Sequence, residues 1–317
     1  MTRLTVIPVV TGHRHRGVGN HIAGCTYAGL VTDIDGLPQL RSPVLVAAFT
    51  GWNDAADAAS HAIVHLGEQW SAQPVATIDP DPYYDFQMAR PTVKVTSLGV
   101  ERVDWPFTGF SVASPADTDR DVVLLTGAEP SMHWRGFCEE IAEVCHGLQI
   151  QQVILLGALL NDVSYTRPLP VSGTSHDPAV AKRLKLDPVD YEGPAGIISL
   201  LQATFQDIGT PVTCCWVSVP HYAGTSPCPK ATLGLLHRVE ELLDLPVPAG
   251  ALVERTAQWE DEVTRLVEAD SDIAEYINSL DDSDDSDEQP SGDDIARDFE
   301  RYLRRRGPHP EPREDED

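Results

Sequence analysis

Apolar, β-branched runs recur along this chain at 44–49, 75–78, 93–97, 121–126, 153–157 and 212–219. Between them lie longer stretches with helical spacing, at about 54–70, 131–148, 178–186, 195–206 and 229–244. Unbroken apolar runs suit strands that are buried on both faces, and their alternation with helices predicts a mainly parallel sheet covered on each side. The expected fold class is therefore α/β, a three-layer αβα core domain over 28–248. Residues 80–118 hold prolines, aromatics and short strand-like pieces, which fit either an inserted hairpin or an antiparallel extension of the sheet.

The passage AAFTGWNDAADAAS, 47–60, shows the unit most clearly. An apolar strand breaks at Gly51, and an alanine-rich helix follows at once, with Asn53 or Asp54 placed to cap it. Four such polar motifs each follow the end of a predicted strand: GWND, GAEPSMHWRGF, GALLNDVSYTRP and PHYAG. If those strands are parallel, all four loops meet at one carboxyl edge, where open α/β sheets place their sites. That edge would gather Gly51, Trp52, Asn53, Asp54, Glu129, Trp134, Arg135, Asp162, Arg167, His221 and Tyr222 as a pocket or partner-binding surface.

Each member also has a structural reading. Asn53, Asp54 and Asp57 stand in a helix's first turn, where acids stabilise exposed amides by about 0.3–1 kcal/mol without catalysis. Ser131 fits a helix cap, and Arg167 fits a partner for Asp162 or Glu129. His61 and His65 have the spacing of a helical zinc pair, but they fall with Asp54, Asp57 and Glu68 on the polar side of their helix. A solvated face is the expectation there, and no metal site is assigned. The chain has no glycine-rich phosphate loop and no GXSXG nucleophile elbow, so no cofactor is expected. VSGTSHDP, 171–178, reads as a polar loop entering a helix, with Asp177 as cap and Pro178 at the first helical position.

An apolar fraction of 42% supplies a core, while no apolar run approaches the ~20 residues that cross a bilayer. His13-Arg14-His15-Arg16 stands where a signal peptide would be apolar, so a cytoplasmic protein is expected. The spacing of the six cysteines suits neither zinc nor a disulfide framework; Cys138 and Cys145 share a helix face, and Cys214 and Cys215 point to opposite sides of a strand. Net charge is −26, of which −15 falls from Glu254 onward, and both parts are acidic. Nucleic acid and anionic membrane are thereby disfavoured as partners.

Residues 1–27 lack periodicity and read as a disordered arm or an over-extended start. Residues 249–280 read as a charged helix packed on the core, its apolar stripe marked by Leu252, Trp259, Val263, Leu266 and Ile273. An acidic linker, 281–292, is expected to be disordered. An amphipathic helix follows at 293–306, with Ile295, Phe299, Tyr302 and Leu303 on one face, and then an acidic tail, 307–317. That helix suits either a partner-binding segment or one that folds back on its own domain.

Several of these motifs together resemble the proteasome assembly chaperone 2 family in its actinobacterial form: GWNDAADAAS, TGAEPSMHWRGF, LLGALLNDVSYTRP, YEGPAGIISLL and VPHYAGTSPCPKATLGLL, in order from about Tyr27 to Leu280. Ser164-Tyr165 stands where the family pattern has proline–histidine, and Cys228 interrupts a serine–proline–lysine block. The resemblance implies a fold similar to nucleoside phosphorylases, a homo-oligomer of the trimeric kind, and proteasome α-subunits as partners. Relatives that dock through a hydrophobic–tyrosine–any-residue tail differ from this chain, which ends Glu314-Asp315-Glu316-Asp317.

Two functions remain open at this level. The favoured one is a non-enzymatic assembly chaperone or adaptor. The alternative is a nucleosidase- or phosphorylase-like enzyme in which Arg167 holds an anion, Glu192 or Asp162 accepts substrate hydroxyls and His221 serves as acid or base.

Overall fold

The computed structural model describes residues 37–284, apart from 117, 187–191 and 225–226, and three short strands before them. The first half comprises β1 (Leu4–Val6), β2 (Gly19–Ile22), β3 (Cys25–Ala28), β4 (Val44–Thr50), α1 (Ala58–Gln69), β5 (Gln73–Ile78), β6 (Thr92–Thr96), β7 (Gly99–Asp104), β8 (Thr108–Ala113), β9 (Val122–Ala128) and α2 (Trp134–Gly147). Then come β10 (Gln152–Asn161), β11 (Val171–Ser175), α3 (Pro178–Arg183), α4 (Ile197–Asp207), β12 (Val212–Pro220), α5 (Pro229–Leu243), α6 (Leu252–Ala269) and α7 (Ser271–Asp284).

Eight strands form one sheet in the order β1-β5-β8-β9-β4-β10-β12-β11. Its central four, β9-β4-β10-β12, are parallel, and they are the near-continuous apolar runs of the sequence. The flanks, β8-β5-β1 on one side and β11 on the other, are antiparallel. On one face Leu45, Phe49, Leu125, Leu155 and Cys214 build a core with Phe137 and Ile141 of α2 and Leu201 and Phe205 of α4. On the other, α1 lies against β4, β9 and β10 and pairs with α5, which reaches β10, β11 and β12.

Both readings offered for 80–118 are realised. β8 extends the sheet, and β6 and β7 form a separate two-stranded hairpin. The passage 171–175 is a strand rather than a loop. Its polar side chains find partners instead of burial, Ser175 Oγ with Thr213 Oγ1 at 2.9 Å and Gln202 Nε2 donating to Thr174 Oγ1 at 2.9 Å. The expected cap after it is present: Asp177 accepts from Ala179 N at 2.8 Å, with Pro178 at the first helical position. Ser131 does not cap α2; the capping position falls to His133, left-handed at φ 53° and without a side-chain bond to the helix, and Ser131 N instead donates to Tyr83 O. The polar side of α1 is only partly solvated: α5 packs on the helix, and His65 and, before the helix, Asp54 are buried, while His61 and Asp57 are half-buried and Glu68 is exposed. Cys138, Cys145, Cys214, Cys215 and Cys228 are buried and free.

The chain divides into two units, 1–247 and 248–317. In the second, the stretch read as one helix is two, because Asp270 adopts an extended conformation and its Oδ1 accepts from Asp272 N and Ile273 N to start α7. Leu252, Trp259 and Val263 of the expected stripe are buried, while Leu266 is exposed. The proposed helix with Ile295, Phe299, Tyr302 and Leu303 lies outside the described residues. No described helix is long and apolar enough to cross a membrane.

Candidate functional site at the carboxyl edge of the sheet

Because β4, β9, β10 and β12 run parallel, the loops after them emerge on one edge. β4 turns at Gly51, where φ is +126° and an added Cβ would press on Glu129 Cβ at 3.2 Å. The turn throws Trp52 outward, 65% exposed, and Asn53 inward, 2% exposed. Asn53 Nδ2 donates to Glu129 Oε1 at 2.6 Å, and Ile197 N donates to the same oxygen at 2.9 Å. Glu129 thus places its charge at the N-terminus of α4, where the exposed amides and helix dipole favour it. Ala158 N donates to Asn53 O at 2.8 Å, which ties in β10 as well. Gly196 is required beside this knot, since a Cβ there would fall on Asn53 Oδ1.

Asp54 starts α1 as its capping position predicts, but across an intervening turn. Residues 55–57 form a 3-10 turn with Ala56 and Asp57 both left-handed, φ 52° and 54°. Asp54 Oδ1 therefore accepts from Ala59 N at 2.7 Å and Ser60 N at 3.2 Å rather than from nearer amides. Burial pushes the Asp54 carboxyl above the ordinary carboxylate range, against the lowering effect of its bonds from Ser60 and Ala59. Cys228 N donates to Ala56 O, and Thr232 Oγ1 donates to Ala58 O, so α5 holds the strained turn in place.

A second cluster lies past the ends of β10 and β12. His221 Nδ1 stands 3.1 Å from Asp162 Oδ1, with both side chains largely exposed. Tyr222 splints the β10 loop: its OH accepts from Tyr165 N at 2.9 Å and donates to Val163 O at 3.0 Å. Lys230 Nζ donates to Tyr165 O at 2.5 Å, and the Tyr165 and Tyr222 rings meet edge to face at 6.4 Å. The unusual Ser164-Tyr165 pair is therefore the anchored part of this loop, with Ser164 buried and bonded to Thr166 Oγ1 at 2.8 Å.

The structure joins Asn53 to Glu129 and Asp162 to His221, while Tyr222 bonds the backbone of Val163 and Tyr165 in the same loop. Trp134 is half-buried against the α2 and α4 core, and Arg167 is partly buried. Arg135 and Glu192 are exposed. Sequence reasoning missed Gly196, Tyr165 and Lys230. Only the glycine–proline–alanine–glycine run before α4 hinted at the close approach that Gly196 permits. A groove of about 360 Å³ lies elsewhere, between the C-terminal ends of α2 and α4, lined by Cys145, His146, Phe205 and Ile208 among others. No group of three metal-ligating side chains occurs among the described residues. Glu129 Oε1, Asp54 Oδ1 and the Tyr222 hydroxyl hold backbone and helix ends, while Asn53 Oδ1 and Asp54 Oδ2 are buried without a hydrogen-bond partner.

A family model described as the PAC2 family matches residues 48–267. The chain is similar to the crystal structure of a proteasome-assembly chaperone homologue from Mycobacterium tuberculosis, at 44% identity over 74% of this chain and 99% of that one, with a TM-score of 0.70. A PAC2 family protein from Streptomyces avermitilis is 46% identical, with the same shares covered and a TM-score of 0.69. An archaeal proteasome activator from Pyrococcus furiosus shares the fold at 18% identity, covering 84% of this chain and 100% of that one, with a TM-score of 0.59. Comparison with curated proteins gave no match.

Proposed function

The chain belongs to the PAC2 family, and from that premise we propose that it acts as a non-enzymatic, proteasome-assembly-chaperone-like protein or adaptor. In this reading it is a cytoplasmic homo-oligomer whose clients are proteasome α-subunits, built on a phosphorylase-like αβα layout. The observation that carries the proposal is the 44% identity, over 74% of this chain and 99% of the other, to a proteasome-assembly chaperone homologue. The use made of the strand-end polar groups supports it. Glu129 and Asp54 spend their carboxylates on helix amides, and Tyr222 spends its hydroxyl on a loop backbone. Asp162 and His221 face solvent, so that pair supplies no enclosed acid–base site for the enzymatic alternative.

Native mass spectrometry with proteasome α- and β-subunits of the same host tests this, using the full chain and a form lacking 281–317. A stoichiometric complex with unassembled α-subunits, absent for the mature core particle, is expected. Loss of that complex without 281–317 would locate the contact on the terminal segment. A protein that ignores both subunits while retaining a small bound mass would overturn the reading.

A further inference from the structure

The helix pair α6 and α7 presents a strongly acidic surface. From Leu252 to Asp281 there are nine acidic residues and two arginines. Glu268, Asp272 and Glu275 are exposed, and no ion pair among the described residues neutralises them. Asp272 and Glu275, three apart on α7, border the row Ile273, Tyr276 and Leu280, which helical spacing places on one side. Those three are half-buried, and Leu266 near the end of α6 is 43% exposed. Like charges this close repel, and a cation brought among them relieves the repulsion.

The chain carries such a cation in its own segment 293–306, beyond the described residues. Residues 301–306, Arg-Tyr-Leu-Arg-Arg-Arg, hold four arginines and no acid, the densest basic run in a chain of net charge −26. Ile295, Phe299, Tyr302 and Leu303 recur at helical spacing on one side. A helix of this length standing alone is marginal in water, so its apolar side needs a surface to pack on.

We propose that segment 293–306 docks as an antiparallel helix on the α6–α7 pair, its apolar side inward and its arginines on Glu268, Asp272 and Glu275. Eight residues, 285–292, join α7 to the segment, within the about two to eight that commonly connect packed helices. Gln289-Pro290-Ser291-Gly292 supplies the chemistry of a turn. Equal rise along the two helices then sets Ile295 toward Leu280, Phe299 toward Tyr276 and Leu303 toward Ile273. Arg304, Arg305 and Arg306 arrive at the start of α7, beside Asp272 and the last turn of α6. A parallel arrangement would bring Asp293 and Asp294 there instead and set like charges together.

The tether selects the segment of the same chain over that of a second copy, because a short flexible link gives an effective concentration on the order of millimolar. The inference is independent of the chaperone reading. A client that used this segment would have to displace it from α6 and α7.

Hydrogen exchange on the full chain, at two protein concentrations a decade apart, tests the docking. Amides 295–303 are expected to exchange at least about tenfold more slowly than an unstructured chain. Arg304→Glu with Arg305→Glu should speed exchange of both 295–303 and 273–280 at least about fivefold. Adding Asp272→Arg and Glu275→Arg to that variant should restore the protection, a rescue that a merely misfolded variant would not give. Exchange of 295–303 at the unstructured rate would overturn the proposal, as would protection that the arginine reversals leave unchanged or that the charge swap fails to restore. Protection that grows with protein concentration would assign the segment to a second copy, and protection that appears only with added proteasome α-subunits would assign it to a client; either overturns the docking on its own helices.

Discussion

Replacing Asn53 by alanine removes the 2.6 Å bond to Glu129 and loosens the carboxylate that starts α4. The loss of one buried, charge-assisted bond is expected to cost about 1–3 kcal/mol, seen as a lower urea midpoint. Trp52→Ala, one residue away but facing solvent, should change stability by less than about 0.5 kcal/mol. Equal losses at the two positions would show that the knot is not what holds the turn. The buried carboxyls give this region a pH dependence whose sign follows from their surroundings. Burial raises Asp54, and it raises Glu140 against the bond donated by Tyr83 OH. Between the unfolded value and the raised one the native state holds more protons, so stability falls as pH climbs through that window. Burial alone would also raise Asp121, but bonds from Arg41 and Ser114 overcome it and hold the group low. Its contribution is complete above the ordinary carboxylate value and is lost as pH falls through the depressed one. Urea midpoints across the acid range should therefore show Asp121→Asn flattening the lower limb, and Asp54→Asn or Glu140→Gln flattening the upper one.

The central strands test how far one glycine sets the spacing between elements. Gly157 of β10 lies in register with Trp216 of β12, and a Cβ at 157 would enter the indole ring. Gly157→Ala should cost about 1–3 kcal/mol by overpacking, and adding Trp216→Leu should restore part of the loss; no recovery would mean that the strain lies in the backbone. Elements of this kind were legible in the sequence because both faces of β4, β9, β10 and β12 are buried, and burial writes an unbroken apolar run. β11 was not legible, since Val-Ser-Gly-Thr-Ser holds the edge of the sheet through hydrogen bonds that leave no apolar signature, and β8 was anticipated only as a possible antiparallel extension because Thr-Gly-Phe-Ser-Val-Ala breaks its apolar run with polar residues. The gathering of the four loops followed from parallel strands and could be anticipated. The Asn53–Glu129–Ile197 knot could not, because it joins residues 76 and 68 positions apart. The burial of His65 escaped for a related reason: helical spacing records which face meets the sheet, and α5 closing over the second face is a tertiary event.

At the scale of the whole molecule, self-association and client binding respond to salt in opposite directions. Copies each carrying −26 repel at long range, so screening should strengthen the association of the proposed homo-oligomer. An oppositely charged client would instead bind less tightly as salt rises. Residues 281–317 contain 15 acidic and 6 basic residues, net −9, so their removal leaves −17. The shortened chain should therefore associate more tightly at low salt and show a shallower salt dependence, with both forms converging at high salt where the repulsion is screened. Sedimentation equilibrium of the two forms across a salt series measures this directly. Association that weakens with added salt in the full chain would instead assign the contact between copies to ion pairs, and the net charge would then not be what limits it.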